Sequence, residues 1–222
     1  DKGNFEADVI VDCTGWGAVL ASSLKKNYVK KHMLSFGIET EIPYKKDNKL
    51  RFFVNPDIIE NGAAWLFPCG KKARFGVASY KGKTKLLPSL RKLLDRYNLK
   101  EGKIHGGYFC YCLKKPIVKN IFVVGCAAGQ TLPLTGEGIR RSVHFGLICG
   151  EIIQRVLDNK FSLKQGQEEY EKSALKYNED YQLLLKAQKE LPDMPNWEIN
   201  LIAKLLGIKP ILSLISKEYE KI

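Results

Sequence analysis

At 222 residues the chain can bury a sizeable core, as one domain or as two small ones. Its composition, 45% hydrophobic and 27% charged, is that of a soluble globular protein, and no apolar run approaches the about 20 residues that span a bilayer. The formal net charge of +12 raises nucleic acid as a partner, yet the lysines come as scattered doublets such as Lys25-Lys26, Lys45-Lys46 and Lys114-Lys115. No RNA-recognition, helix-turn-helix or zinc-finger pattern accompanies them. A solvated lysine-rich surface and no nucleic-acid partner are expected; attraction to an anionic membrane surface comes next, at about 1 kcal/mol per basic residue near it.

In chain order, Ala7 to Gly15 reads as a strand ending in a tight turn. Leu34–Ile42, Leu50–Val54, Ala63–Phe67 and Arg74–Tyr80 read as successive strands parted by Gly, Pro, Asn and Lys, a spacing that predicts an antiparallel sheet. Leu86–Tyr97 carries apolar residues at a helical period, and Lys103–Leu113 reads as a long strand. Ile121 to Val124 is a short apolar run, the mark of a buried strand. A helix is predicted over 139–157 and a more polar one over 164–190, stopped by Pro192. Two further helices, 197–206 and 211–219, are parted by Gly207 and Pro210. Their apolar positions (Ile199, Leu201, Ile202, Leu205, Leu206, Ile211, Leu212, Leu214 and Ile215) make a face for the rest of the protein or for a membrane surface.

The six cysteines form neither a zinc-type nor a redox Cys-x-x-Cys. Cys13, Cys69, Cys126 and Cys149 sit in apolar or glycine-rich contexts, where Cys behaves as a small hydrophobe, and Cys110 and Cys112 lie two apart in a predicted strand. A reducing, cytoplasmic setting is the reading. No Ser-His-Asp set, metal cluster or carboxylate pair stands out. His32, His105 and His144 are scattered, and His144 reads as structural.

The segment Ile121-Phe-Val-Val-Gly-Cys-Ala-Ala-Gly-Gln-Thr-Leu-Pro-Leu-Thr-Gly-Glu-Gly-Ile139 constrains the most. A strand, small residues that let a backbone approach a ligand, and a helix N-terminus make a cradle for an electron-rich group. It resembles the second flavin-binding motif of FAD-dependent reductases and hydroxylases, Gly-Asp-Ala-Ala-Gly, then Pro, then Gly-x-Gly-Ile. Gly125, Ala127, Ala128, Gly129, Pro133, Gly136, Gly138 and Ile139 match; Cys126 stands where the family has Asp. The resemblance implies FAD as cofactor, held by Gly125, Cys126, Ala127, Gly129, Pro133, Gly136, Glu137, Gly138 and Ile139. Thr14 and Gly15 resemble an interior turn of the same group that passes close to the cofactor.

A decoy lies nearby. Gly15-Trp-Gly-Ala-Val-Leu20 starts like a dinucleotide fingerprint, with Glu39 some distance on, but Leu20 replaces the third glycine and Glu39 falls inside a strand. Arg140 and Arg141 open the helix after the motif, where the dipole disfavours cations; an anion beside them would explain their place.

Within the strand-rich insertion, Trp65 and Phe67 are two apart, so both rings face one side of a strand, and Pro68 follows, where pairing is expected to end. The segment resembles the Tyr-x-Trp-x-Phe-Pro motif of the geranylgeranyl reductases, FAD enzymes that saturate isoprenoid double bonds; Ala63 occupies the tyrosine position. Trp65, Phe67 and Pro68 are thereby implied to bind a prenyl lipid or another apolar substrate. No catalytic side chain and no metal ligand is assigned.

The fold expected is α+β, of the p-hydroxybenzoate-hydroxylase type. Residues 1–31 and 116–158 would form part of the FAD-binding domain, 32–115 an antiparallel substrate domain, and 159–222 a C-terminal helical region. The Gly-x-Gly-x-x-Gly region that such proteins carry upstream does not occur, so an N-terminal segment is expected to be missing. The alternatives are a flavin monooxygenase or halogenase of the same architecture, or a lipid- or partner-binding module that has lost its flavin.

Overall fold

The computed structural model of the protein describes residues 3–206. The elements run β1 (Ile10–Asp12), α1 (Val19–Leu24), β2 (Leu34–Pro43), β3 (Arg51–Phe53), β4 (Gly62–Cys69), β5 (Lys72–Ser79), α2 (Leu87–Asp95), β6 (Ile104–Cys110), β7 (Ile117–Val118) and β8 (Ile121–Val123). Four helices follow: α3 (Ile139–Leu157), α4 (Leu163–Leu175), α5 (Asn178–Glu190) and α6 (Asn196–Leu206). The architecture is α+β. A five-stranded sheet has the order β3-β4-β5-β2-β6, and a three-stranded one the order β1-β8-β7.

The five-stranded sheet is antiparallel throughout. Strand alternation gives it two unlike faces. Ile38 and Ile42 of β2, Ala64 and Leu66 of β4, and Ala73, Phe75 and Val77 of β5 pack in one core with Leu86, Leu90, Leu93 and Leu94 of α2 and its N-terminal flank. The alternate residues Glu39, Trp65, Phe67, Arg74 and Ala78 line a cavity on the opposite face. In the smaller sheet β1 runs parallel to β8 and β7 antiparallel to it. Phe122 and Val124 join the core built with α3, α4 and α5, while Ile121 and Val123 face Ala18, Ala21 and Tyr28. Burial on both faces is why this segment has no polar alternation.

Several expectations shift. The helix expected over 164–190 is two helices, broken at Lys176–Tyr177. Tyr177 is buried with its ring against His144 and Phe145, and the apolar period continues on both sides of the break, so periodicity could not register it. Helix α1 and strand β7 were not foreseen; six- and two-residue elements are too short to show a period. Pro68 does not end the pairing, because β4 pairs on to Cys69 opposite Lys72. The partner on its other side, β3, stops at Arg51 opposite Leu66, so Pro68 sits where β4 is an edge and its missing N–H is tolerated. Cys13 and Cys69 are exposed rather than packed, and all six cysteines are free. The helix expected at 211–219 lies outside the described residues.

Candidate active site

The site forms where the cavity face of the five-stranded sheet meets the loop from Gly125 to Ile139. Trp65 and Phe67 stack with ring centroids 6.1 Å apart. The indole lies across β5 because Gly76, directly opposite in register, has no side chain: a Cβ there would fall 2.1 Å from Trp65 Cζ2. The indole N–H donates to Glu39 Oε2 at 3.2 Å, and Glu39 Oε1 lies 3.0 Å from His105 Nε2. Glu39, the acidic residue of the dinucleotide decoy, therefore orients an aromatic ring. A cavity of about 390 Å³ lies over this floor, closed on the far side by Tyr80, Leu134, Gly136 and Ile139.

An adjoining hollow of about 510 Å³ shares Phe109, Gly136 and Ile139 with it and continues along Cys126, Thr131, Gly138 and Ser142. Gly136 takes φ +68°, a conformation that strains any other residue, and lies in ordinary contact range of the Phe109 ring. Gly138 caps α3 without a side-chain bond, and the first helical bond runs from Ser142 N–H to Gly138 C=O at 2.8 Å. The amides of the first turn therefore have no partner within the helix, and the positive dipole end points at the hollow. A glycine-lined hollow at the positive end of a helix fits the electron-rich edge of a flavin.

The predicted residues separate into two groups. Cys126, Gly136, Gly138 and Ile139 line the hollow, and Trp65 and Phe67 line the cavity that joins it. Gly125, Ala127, Gly129 and Pro133 are the buried part of the loop. Gly129, at φ +69°, packs so tightly that a Cβ would fall 1.8 Å from the Cys112 carbonyl oxygen. Glu137 pairs with Arg140. Pro68, Thr14 and Gly15 line neither space, although the turn at Gly15 lies beside the one at Gly125. Cys126 Sγ accepts the Cys110 N–H at 3.2 Å, and burial pushes its thiol pKa up, so a neutral group stands there. Arg141 is buried, with its guanidinium 5.2 Å from the Phe145 ring and 5.1 Å from that of Tyr177.

The loop is held by polar side chains that the sequence did not single out. Gln130 Oε1 accepts the Gly125 N–H at 2.6 Å, and its Nε2 donates to the Tyr170 hydroxyl at 3.3 Å. Tyr170 donates in turn to Val123 C=O at 3.1 Å, and Tyr181 to Gln130 C=O at 2.6 Å. Leu134, strained at φ +66°, is clamped between the Tyr80 hydroxyl, which donates to its carbonyl at 2.8 Å, and Gln188, which accepts its N–H at 2.7 Å. The first turn has its own latch. Buried Asp12 accepts from the Thr14 N–H and hydroxyl and from the Ala21 N–H. Burial would raise its pKa, but the Thr14 hydroxyl and the Ala21 and Thr14 amides outweigh that and lower it. Among the described residues no group of acidic, His or Cys side chains could hold a metal, and no helix is long and apolar enough to cross a membrane.

Two sheets, one with a parallel pair beside a glycine loop and one antiparallel with an aromatic floor, make a fold shared with flavin-dependent enzymes of known structure. A geranylgeranyl bacteriochlorophyll reductase-like protein from Thermoplasma acidophilum superposes on 96% of this chain and 60% of its own with a TM-score of 0.80, at 16% identity. A probable FAD-dependent monooxygenase from Pseudomonas aeruginosa gives 0.59 at 16% identity, over 83% of this chain and 56% of its own. In sequence the chain is similar to proteins named digeranylgeranylglycerophospholipid reductase. It is 28% identical over 178 residues to the digeranylgeranylglycerophospholipid reductase of Methanocaldococcus jannaschii, covering 76% of this chain and 46% of that protein. The chain spans about half the length of such curated relatives. No family model matches it.

Proposed function

We propose that this chain forms the substrate domain and the flavin-facing loop of an FAD-dependent reductase that saturates isoprenoid double bonds of a prenyl lipid. The observation that carries the reading is the aromatic cavity over Trp65 and Phe67, which shares Gly136 and Ile139 with the adjoining hollow. A polyprenyl chain offers a protein little except apolar area, at roughly 25 cal/mol per Å² buried, and this floor supplies it. Bound in the adjoining hollow, FAD in its reduced form would supply the hydride. The residues of this chain hold the geometry: the amides at the start of α3 stabilise negative charge on the cofactor edge, and Glu39 fixes the indole against which the chain lies. The named activity of the related reductases supports the same choice.

The reading includes an upstream segment. In the described residues β1 is an open edge of its sheet, and Val19, Leu20, Val143 and Leu147 stand exposed on α1 and α3. A further βα unit, carrying the pyrophosphate loop, would cover them. Peripheral membrane contact is also part of it, since α6 exposes Trp197, Leu201 and Leu205 at four-residue spacing.

The test uses the full-length protein with digeranylgeranylglycerophospholipid presented in anionic vesicles. Expected are sedimentation with the vesicles, loss of reduced-flavin signal on mixing under anaerobic conditions, and product heavier by two hydrogens per bond reduced. Trp65→Ala is expected to lower kcat/KM about tenfold or more, as loss of some 1.4 kcal/mol of apolar contact requires. Bound flavin with no mass gain would sink the reductase reading, and a full-length protein that binds no flavin would sink the cofactor with it.

A further inference from the structure

A separate cavity of about 250 Å³ lies between the segment after α1 and the segment joining β6 to β7. Its lining includes Lys25, Lys30, Lys114 and Lys115 and no acidic residue. Lys115 is already paired with Glu171 at 2.8 Å. The other three have no carboxylate partner among the described residues. Lys114 Nζ is shielded from solvent and has no oxygen or nitrogen acceptor among the described residues, only the neighbouring thiols of Cys110, Cys112 and Cys126. It rests 4.4 Å from the centroid of the Tyr28 ring, and Lys25 Nζ lies 5.9 Å from the same centroid. The ring cannot swing away, because its hydroxyl donates to Lys115 C=O at 2.9 Å.

Such a cluster is unfavourable if nothing enters it. Like charges gathered around one cavity repel, and a buried ammonium without an acceptor loses its hydration. The aromatic face offsets part of this. Burial pushes the Lys114 pKa down, as expected of an amine lacking its counter-ion. An oxyanion would supply both the missing acceptors and the missing charge.

We propose that this cavity binds a phosphate-type oxyanion, with Lys114 at its floor and Lys25 and Lys30 at its rim. The volume falls below the roughly 300–1,000 Å³ of pockets that enclose drug-sized ligands, so the occupant is a small anion or the phosphate end of a larger molecule. The inference stands on this cavity alone and does not depend on flavin binding or on the reductase reading.

The test is calorimetric titration of the protein with inorganic phosphate, pyrophosphate and glycerol 1-phosphate, each against potassium chloride at equal ionic strength, with Tm as a second readout. At least one phosphate should bind saturably and raise Tm above its chloride control. Preference for glycerol 1-phosphate would assign a lipid head group, and preference for pyrophosphate a nucleotide-type diphosphate. Lys114→Gln should weaken binding about tenfold or more, the loss of one charge-assisted contact, and Lys30→Gln should weaken it less. Lys164→Gln, which removes an exposed charge elsewhere, should leave it unchanged. The proposal is overturned if no phosphate exceeds its chloride control, or if both cavity variants bind like the wild type.

Discussion

The five-stranded sheet and the loop from Gly125 to Ile139 face each other across the candidate site but are held in place by different forces. The sheet is fixed from behind by α2 through apolar packing alone: Phe75, Val77, Leu90 and Leu93 are fully buried. The loop buries the small residues Ala127 and Ala128 and the Leu132 side chain, but its irregular backbone is tied down by Gln130, Tyr170, Tyr181, Gln188 and Tyr80. The contrast follows from what each must present. A sheet can turn one face to a core and leave the other free for an apolar ligand. A loop of irregular backbone cannot satisfy its polar groups by regular pairing, so side chains must do it.

The sharpest way to break the comparison is to cut the packing. Phe75→Ala is expected to cost about 3–5 kcal/mol in chemical denaturation, the range for a large core side chain removed. A loss below about 1 kcal/mol would mean that the α2 face is not close-packed. Next comes the latch. Gln130→Ala leaves the Gly125 N–H buried without an acceptor and should cost about 1–3 kcal/mol. Its particular signature is faster amide exchange at Gly125 with the five-stranded sheet still protected, since the two regions rest on different contacts. Exchange that rises equally in both would dissolve the distinction.

The same contrast decides what could be read from the sequence. Apolar periods announce packing, so α2, the alternation around Trp65 and the buried run at Ile121–Val124 were legible, and the glycine motif announced the loop. Buried polar latches have no period. Gln130 is a single residue between Gly129 and Thr131, and its partners lie 40 and 51 positions away in helices that looked merely polar. Glu39 was legible only as a decoy, because its real partner, Trp65, is set by strand register two strands across the sheet. The pairing of Trp65 with Gly76 was readable in principle: a large ring opposite a glycine in neighbouring strands is a packing signal.

The smallest expected effect separates packing from polar latching by pH. Asp12 holds the first turn as a carboxylate accepting three bonds, and its folded pKa is lowered. A depressed folded pKa means that the stabilisation is present above the unfolded value, about 3.9 for Asp, and is lost as pH falls through the folded value. Asp12→Asn replaces a charged acceptor by a neutral one, a difference of roughly 1 kcal/mol at neutral pH. The deficit of Asp12→Asn should therefore be constant down to about pH 5 and shrink below about pH 4. Phe75→Ala removes no titrating group, so its deficit should stay level across the same window. Parallel wild-type and Asp12→Asn curves through acid would mean that the turn is held by packing like the sheet.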